Sequence, residues 1–528
     1  MENMYCLTIK RLSNFIKAII HQKHIYILKT KEMLVFPFIV CFFTLTTCIG
    51  NSKIQPSILE TYTLPSKSEF NGILEVYPGL SNNLYRSPLY TVEVWNGENW
   101  LDSYTYYSSR SSVTNWHRDS NPSVSFTTFG TTTETYIRLT GLQNNVSSVQ
   151  ISPQSKNIDV QISNGIAQFK LSKLDKVWII INNNDSDPLF ICADSPKPEI
   201  PLDAVYFGPG VHEIGQLFRP ENDQTIYLDG GAWVKGNIDI RGLNNIKIIG
   251  PGVLSGEMWH GEMLSNMEFE NTKEYFMILG DYGAQNTGNH LEGVTIVNTP
   301  GYCTFGGLNV IRNVKLLSPW YYSTDGFYVM PDKTTHEGLI EDCLAFIGDD
   351  VFFPRDNLYG NITIRNCLVG ATNNNVFCMS YWPQSLENNY FTRVENIDIK
   401  TYNENGIFQS VLDGNVSNAG MGIHNQIYKD IRIEGNISCT LIRIENRPYP
   451  WGGDPGSPVI GTSKNIQFIN IALEGSQHWK SSILGKDTEN GHWDYLFENV
   501  TIGGTLVTES NFSNFFDINE FVYNVTIR

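Results

Sequence analysis

The chain is poor in charged residues, and basic residues are the scarcer of the two signs. Only 17% of its 528 residues are charged, and 54 acidic residues against 37 basic ones give a formal net charge of −17. Proteins that bind nucleic acids carry basic patches that neutralise phosphates. The composition therefore argues against a nucleic-acid partner, and it neither supports nor excludes a polysaccharide.

Cysteine is also scarce, and the nine cysteines show no CxxC spacing. Since no His/Cys cluster has the spacing of metal ligands, we expect neither a metal nor a cofactor. Cys343 and Cys367 stand 24 residues apart (367 − 343) in the matching contexts IEDCL and IRNCL. Because free cysteine behaves as a small buried hydrophobe, we interpret the pair as stacked interior residues of a repetitive fold in preference to a disulfide.

The apolar stretch from Met33 to Thr47 (MLVFPFIVCFFTLTT) is too short for a membrane span and is typical of a secretory signal. It ends in Leu-Thr-Thr-Cys48, which resembles the bacterial lipobox, so Cys48 is a candidate for lipidation; the alternative is an ordinary cleaved signal peptide. We interpret residues 1–48 as this segment, with Met33 as a possible true start. The protein is then exported to the cell envelope, as an outer-membrane lipoprotein or in periplasmic or secreted form, and meets a membrane only through a lipid anchor.

What the sequence has in abundance is glycine, with 44 residues, and a short repeated phrase. The phrase is Asn or Asp, a β-branched residue, a polar residue and an aliphatic one. It begins at Asn245, Asn313, Asn396, Asp430, Asn465, Asn499 and Asn524. Each copy alternates like a short strand with one inward face, and no helical segment separates the copies. This pattern predicts a right-handed parallel β-helix of the pectin-lyase type over residues 196–528, with the Asn residues forming a ladder at the bends.

Residues 60–195 lack that period. Strands such as Tyr90–Trp95 and Val177–Ile181 are joined by Ser, Asn and Gly turns, which favours an antiparallel β-sandwich. The proline-rich stretch from Pro196 to Pro201 is the natural boundary between the two domains. We therefore predict an all-β protein, a sandwich followed by a β-helix, that acts as a monomer.

Three aspartates are the candidate catalytic residues. Asp325 lies in the sequence STDG, and Asp349 and Asp350 lie in GDDV, 24 residues later (349 − 325), or about one turn of a β-helix. Neighbouring turns are ~4.8 Å apart, so the three carboxylates are expected to converge on one patch of the wall. Carboxylates that divide the roles of acid and base are what glycosidic hydrolysis requires. The alternative is that these residues merely occupy solvated turns.

With further motifs, the chain resembles glycoside hydrolase family 49, the dextranases and isopullulanases. These motifs are YFGPGVH from Tyr206, YLDGGAWVKG from Tyr227, IGPGVLSGE from Ile249, WYYSTDG from Trp320 and YWP from Tyr381. The resemblance implies a β-sandwich before a β-helix, and an endo-acting hydrolase that inverts the anomeric centre. By motif, Asp349 matches the general acid, and Asp325 and Asp350 match the carboxylates that position and deprotonate water. A water held opposite the acid implies a gap of ~6.5–9.5 Å between carboxyl groups.

Further residues are candidates for binding the polysaccharide. Trp320, Tyr322 and Trp382 offer flat faces for sugar rings. Arg355 and Arg443, of which only Arg443 matches an Arg of the family, would suit an anionic sugar, because Arg pairs bidentately with carboxylate or sulfate. An equally weighted alternative is that these Arg residues form ion pairs with acidic residues nearby. The chain also departs from the family after Asp350, where FFPR replaces a Lys and a Tyr-His, so dextran specificity stays open.

Other functions remain open. A polygalacturonase-like enzyme would share the fold and the pattern of aspartates, but its Gly-His-Gly is replaced by ATNNN at 371–375. An exo-α-galactosidase-like β-helix hydrolase is a second alternative. A non-catalytic glycan-binding surface lipoprotein or adhesin is an alternative of another class. A polysaccharide lyase would require Ca²⁺ carboxylates and a Lys or Arg base, which the trio of aspartates fits less well.

Overall fold

The computed structural model describes residues 70–109, 122–141, 145–259, 273–320, 323–354, 357, 359–380, 390–402, 404, 406–413, 422–448 and 461–528. These described residues all belong to one compact unit. The predicted signal segment, with Met33 and Cys48, lies outside the described residues. Within the described part of the chain, no helix is both long and apolar enough to traverse a lipid bilayer.

The N-terminal part consists of two packed β-sheets. Its strands are β1 (Leu74–Val76), β2 (Tyr90–Trp95), β3 (Trp100–Ser103), β4 (Tyr106–Ser108), β5 (Val124–Thr131), β6 (Thr135–Gly141), β7 (Val149–Ser152), β8 (Gln161–Ser163), β9 (Ile166–Leu171), β10 (Lys176–Ile181) and β11 (Asn184–Asp194). One sheet runs β3-β2-β6-β9-β8, and the other runs β1-β5-β11-β10-β7 with β4 beside β5. All pairs are antiparallel except β5 with β11, which is parallel. The sandwich is thus antiparallel, as predicted, except at this one parallel pair.

The remaining strands form a parallel solenoid. They are β12 (Val205–Phe207), β13 (Gly210–Phe218), β14 (Thr225–Leu228), β15 (Ala232–Asp239), β16 (Lys247–Ile249), β17 (Val253–Ser255), β18 (Ile278–Leu279), β19 (His290–Glu292), β20 (Thr295–Val297), β21 (Thr304–Phe305), β22 (Val310–Arg312), β23 (Lys315–Ser318), β24 (Glu337–Glu341), β25 (Leu344–Ile347), β26 (Asn361–Ala371), β27 (Asn375–Ser380), β28 (Thr392–Lys400), β29 (Gly406–Asp413), β30 (Gly422–Glu434), β31 (Thr440–Pro448), β32 (Thr462–Leu473), β33 (Ser481–Leu484), β34 (His492–Ile502), β35 (Thr505–Leu506), β36 (Phe516–Ile518) and β37 (Val522–Ile527). A one-turn helix, α1 (Phe512–Phe515), precedes β36.

Three columns of stacked parallel strands build the solenoid wall. Column A runs β12-β14-β16-β19-β22-β24 and continues through the first halves of β26, β28, β30, β32 and β34 to β37. Column B runs β13-β15-β17-β20-β23-β25 and continues through the second halves of the same long strands. Column C runs from the end of β15 through β18 and β21, then through single bridges at Phe327 and Phe352, to β27-β29-β31-β33-β36. Each coil from β16 to β36 thus contributes a strand, a part of a longer strand or a single bridge to each column.

The interior of the solenoid is a continuous apolar core that no single coil could bury alone. It includes a ladder of aromatic rings along column C, in which Phe327, Phe352, Phe377 and Phe408 stack at centroid distances of 5.6, 5.4 and 5.0 Å. The predicted interior cysteines belong to this core as well: Cys343 is 0% and Cys367 2% exposed, and both are free thiols. The preference for stacked cysteines over a disulfide is confirmed.

The bends of the repeat are formed by Asn residues in the left-handed conformation. Asn313, Asn396 and Asn499 have φ of 53°, 55° and 51°. Asn tolerates this region better than other side chains. Between coils the side chains form a ladder, in which Asn499 Nδ2 donates to Asn470 Oδ1 at 3.0 Å and Asn470 Nδ2 donates to Asp430 Oδ1 at 2.7 Å. The predicted Asn ladder is confirmed.

Strand β10 explains how the sandwich is attached to the solenoid. Its residues alternate: Val177 and Ile179 point into the core of the sandwich, while Trp178 and Ile180 pack against column B of the solenoid. A continuous apolar run is typical of a strand buried on both faces. The ion pair between Lys315 Nζ and Asp194 Oδ2, at 2.5 Å and almost wholly buried, crosses the same seam.

Candidate active site

The three predicted aspartates lie just before the residues through which their coils join column C. The bridges Phe327–Phe352 and Phe352–Phe377 place Asp325, Asp350 and Asn375 at equivalent positions of three successive coils. The backbone agrees, since Gly326 N–H donates to Asp350 O at 2.8 Å and Val351 N–H donates to Asn375 O at 3.0 Å. The register here is 25 residues (352 − 327), so the residue stacked on Asp325 is Asp350, and Asp349 lies one position before it.

The carboxylates converge as predicted. One oxygen of each of Asp325, Asp349 and Asp350 lies within 4.8 Å of the others. Asp325 and Asp350 are 4% and 3% exposed, whereas Asp349 is half-buried. Of the three, Asp349 is therefore the carboxylate most open to a substrate.

Asp349 is held in place by three donors from three successive coils. The Ser323 N–H donates to Oδ2 at 2.5 Å, and the Asn374 Nδ2 and Asp350 N–H groups donate to Oδ1 at 2.6 and 2.9 Å. These hydrogen bonds favour the ionised form. Even so, desolvation is the larger effect and raises the pKa of Asp349.

Asp350 is the more strongly perturbed carboxyl group. Burial, followed by the nearby charge of Asp349, raises its pKa to about 7, although Asn375 donates both its N–H (3.0 Å) and its Nδ2 (2.9 Å) to Oδ1. Because two adjacent buried carboxyl groups cannot both ionise readily, Asp349 and Asp350 together retain one proton up to near neutral pH. The pair can supply a proton while Asp325 offers a further carboxylate.

The distance between these groups differs from the expectation. A gap of ~6.5–9.5 Å is expected between carboxyl groups that hold a water between them, whereas the nearest oxygens here lie within 4.8 Å. The cause is the fold, because residues stacked on adjacent coils are ~4.8 Å apart. Two carboxylate oxygens up to 4.8 Å apart can both accept hydrogen bonds from one water, so this spacing still allows Asp325 and Asp350 to hold a water together.

The same three oxygens are close enough together to ligate a cation. A divalent cation would require all three carboxylates to be ionised. The proton that Asp350 retains up to about pH 7 would then be lost, and with it the acid. Binding a cation and supplying a proton therefore exclude each other at these carboxyl groups. The absence of a metal from the reaction stays a prediction.

Trp320 was predicted to stack on sugar and is placed elsewhere. It is 2% exposed, and its Nε1 donates to Pro122 O at 2.7 Å. Its neighbours belong to the apolar cluster between the sandwich and column B, with Trp178 and Phe346. Its role as a substrate platform is wrong, because a ring packed in this seam cannot present a face to a glycan.

Arg443 lies on the wall of column C, where its strand pairs with β29 at Gln409 and β33 at Ser482. It is half-buried, and its Nη2 donates to Cys439 Sγ at 3.1 Å. The bridges and strand pairs run from Phe352 through Phe377 and Phe408 to Ile442, so Arg443 lies three coils beyond Asp350, or ~14 Å along the solenoid axis at ~4.8 Å per coil. Tyr322, Arg355 and Trp382 lie outside the described residues.

Aromatic residues that the sequence did not single out lie on the other side of the trio. Tyr302 and Phe305 are partly exposed, and Tyr302 stacks on Phe276 at 4.6 Å. The next residue, Cys303, donates its N–H to Asp325 O at 2.7 Å, so Tyr302 lies one coil before the trio. Their position one coil before Asp325 could have identified these rings, but that position cannot be read from the sequence without the register of column C.

Comparisons with known proteins agree with this architecture. No family model matches the sequence. Two curated relatives, the probable exopolygalacturonases B of Aspergillus flavus and Aspergillus oryzae, are each 26% identical over 217 residues, or 38% of this chain and 48% of the relative. The chain thus spans about half the length of the curated relatives it matches.

Among solved structures, the chain is similar to Dex49A from Penicillium minioluteum, a family 49 dextranase. The TM-score is 0.60 at 16% identity, over 84% of this chain and 94% of that one. The predicted fold, a β-sandwich followed by a right-handed parallel β-helix, is confirmed, and the resemblance to the family is confirmed for the fold.

Proposed function

We propose that this chain, which has the β-helix fold of the family 49 glycoside hydrolases, hydrolyses the glycosidic bonds of a polysaccharide. The observation that supports this most is the convergence of Asp325, Asp349 and Asp350 on one wall, with oxygens within 4.8 Å and a proton retained near neutral pH. Burial and like charge are the means by which paired carboxyl groups divide the roles of acid and base.

The roles follow from exposure. Asp349, the most accessible of the three, protonates the leaving oxygen with the proton that it shares with Asp350. Asp325 and Asp350, stacked on adjacent coils, hold and deprotonate the attacking water. Bond cleavage is general acid catalysis, and water attack is general base catalysis.

We predict net inversion at the anomeric carbon, because Asp325 and Asp350 are 4% and 3% exposed and are poorly placed to attack carbon directly. Proton NMR of the first product formed should show the configuration opposite to that of the substrate. Net retention would show a covalent glycosyl intermediate on a carboxylate. In that case one of the buried aspartates is the nucleophile and the roles above are wrong.

The substrate is tested by a screen with two arms. The fold of Dex49A favours a neutral, dextran-like chain cut internally, while the exopolygalacturonase relatives and Arg443 on the wall favour an anionic chain. Release of reducing ends should be measured on dextran, pullulan, polygalacturonate and sulfated polysaccharides. Unsaturated, UV-absorbing ends would show a lyase, and no cleavage of any glycan would contradict the proposal.

We also propose that the protein is exported and anchored through a lipid on Cys48. The support is the apolar stretch from Met33 to Thr47 and the Leu-Thr-Thr-Cys sequence that ends it. Labelled palmitate should be incorporated by the full chain and not by a Cys48→Ala variant. Export without labelling would indicate a plain signal peptide.

A further inference from the structure

Trp479 is unusual among the described tryptophans for its exposure. It is 61% exposed, whereas Trp178, Trp233 and Trp320 are 1%, 0% and 2% exposed. A single exposed apolar residue is normal on a protein surface and shows nothing by itself. Its meaning depends on where it lies relative to the carboxylates.

Trp479 lies in the turn that leads into β33 of column C. Its N–H donates to Cys439 O at 2.9 Å, and the strand pair Arg443–Ser482 places it one coil beyond Thr440. The strand pairs Asn375–Gly406 and Gly406–Thr440 continue the same position back to Asn375, which stacks on Asp350. Trp479 therefore occupies the column position of Asp350 four coils further on, or ~19 Å at ~4.8 Å per coil.

The positions between Asp350 and Trp479 carry small side chains. They are Asn375, Gly406 and Thr440, of which Asn375 is 0% and Thr440 2% exposed. A Cβ at Gly406 would meet Thr440 O at 3.2 Å and Gln409 Oε1 at 3.4 Å. A larger residue there would need these neighbours to move, so packing restricts position 406 to a small residue.

The turn that carries Trp479 is fixed to the coils beside it. Gln477 accepts the Leu441 N–H at 3.1 Å and donates from Nε2 to Phe515 O at 2.8 Å. Lys480 Nζ donates to Ser513 O at 2.8 Å, and the His478 ring packs edge-on against the indole at 4.6 Å. A preorganised aromatic face binds without the cost of ordering a loop.

We propose that Trp479 is a distal subsite that stacks on a sugar ring of a polysaccharide whose chain follows column C away from Asp325, Asp349 and Asp350. The proposal rests on the proposed hydrolytic function. The C–H faces of pyranose rings are apolar and flat, and an exposed indole complements them. The substrate is then a chain long enough to reach both the aspartates and Trp479, ~19 Å apart along four coils.

The test compares Trp479→Ala, Trp479→Phe and Leu506→Ala, with Leu506 as a matched control because it is 46% exposed and lies on β35, outside column C. On the polysaccharide that the wild type cleaves, kcat/KM of Trp479→Ala should fall by about five- to ten-fold, the usual worth of an aromatic contact. An aryl glycoside of the same sugar, too short to reach Trp479, should be cleaved at the wild-type rate. Trp479→Phe should recover part of the loss, and Leu506→Ala should behave as wild type.

Binding is measured separately from catalysis. Asp349→Asn and Asp349→Asn/Trp479→Ala are run on native gels that contain dextran or polygalacturonate, and only the first should be retarded. Equal retardation of both, retardation of neither, or an equal loss of activity on long and short substrates would overturn the subsite. A wild type that cleaves no glycan while its retardation depends on Trp479 would overturn the hydrolytic function and leave the subsite standing.

Discussion

Asp349→Asn should lower the rate of polysaccharide cleavage by ~10²–10⁴-fold with folding intact, because the amide keeps the shape and has no proton to transfer. The hydrogen bonds from Asn374 and from the Asp350 N–H can persist, since Oδ1 of an amide still accepts, whereas the Ser323 N–H loses its acceptor at Oδ2. A dinitrophenyl glycoside of the same sugar needs little protonation of its leaving group. It should therefore retain far more of the wild-type rate.

The companion variants separate the acid from the groups that activate water. Asp325→Asn and Asp350→Asn should slow both substrates alike, because water must be deprotonated in either case. Asp494→Asn is a matched control: Asp494 is a half-buried carboxylate on column A, with a φ of 60° that Asn tolerates. An equal loss for Asp349→Asn on both substrates would show that Asp349 is not the acid.

The second large effect is a gain of stability from Asp350→Asn. The native pKa of Asp350 is about 7, against about 3.9 for an exposed Asp, and each pKa unit corresponds to about 1.4 kcal/mol. The native state thus binds a proton that the unfolded chain has released, so wild-type stability falls as pH rises from about 4 to about 7. An uncharged amide abolishes that fall, and we expect a gain of about 2–4 kcal/mol at pH 8 and none at pH 4.

Urea unfolding at both pH values measures this difference. Glu404→Gln serves as a control for burial alone, because Glu404 is a buried carboxyl whose pKa is also raised to about 7, chiefly by desolvation. It should be stabilised in the same pH window while keeping its activity. If Asp350→Asn is no more stable at pH 8 than the wild type, the native state does not raise the pKa of Asp350.

Much of the fold could be predicted because its signals are local and repeated. The Asn phrase marks bends that need a left-handed residue, and a run such as Val177–Ile181 marks a strand buried on both faces. The identity of the three aspartates could be predicted for the same reason. Which of the two adjacent aspartates stacks on Asp325 could not be predicted. The 24-residue spacing holds where Ile340 pairs with Ile364, whereas the register at Phe327 and Phe352 is 25 residues.

The aromatic residues show the limit of such prediction. Trp320 stands four residues before Thr324 in the motif of Asp325, yet its ring turns to the sandwich, whose contact with column B involves residues nearly 200 positions away. Trp479 stands in a polar turn with no motif around it. Which of the two meets solvent depends on packing across the chain, and neither composition nor spacing contains that information.

The stacking of coils has a consequence for how such a solenoid changes over evolutionary time. The three aspartates and Trp479 are separated by whole coils, so duplication or loss of one coil between Gly406 and Thr440 would shift them by a single ~4.8 Å step without altering either end. The length of substrate that the wall accommodates is therefore a discrete, heritable quantity, adjustable independently of the chemistry.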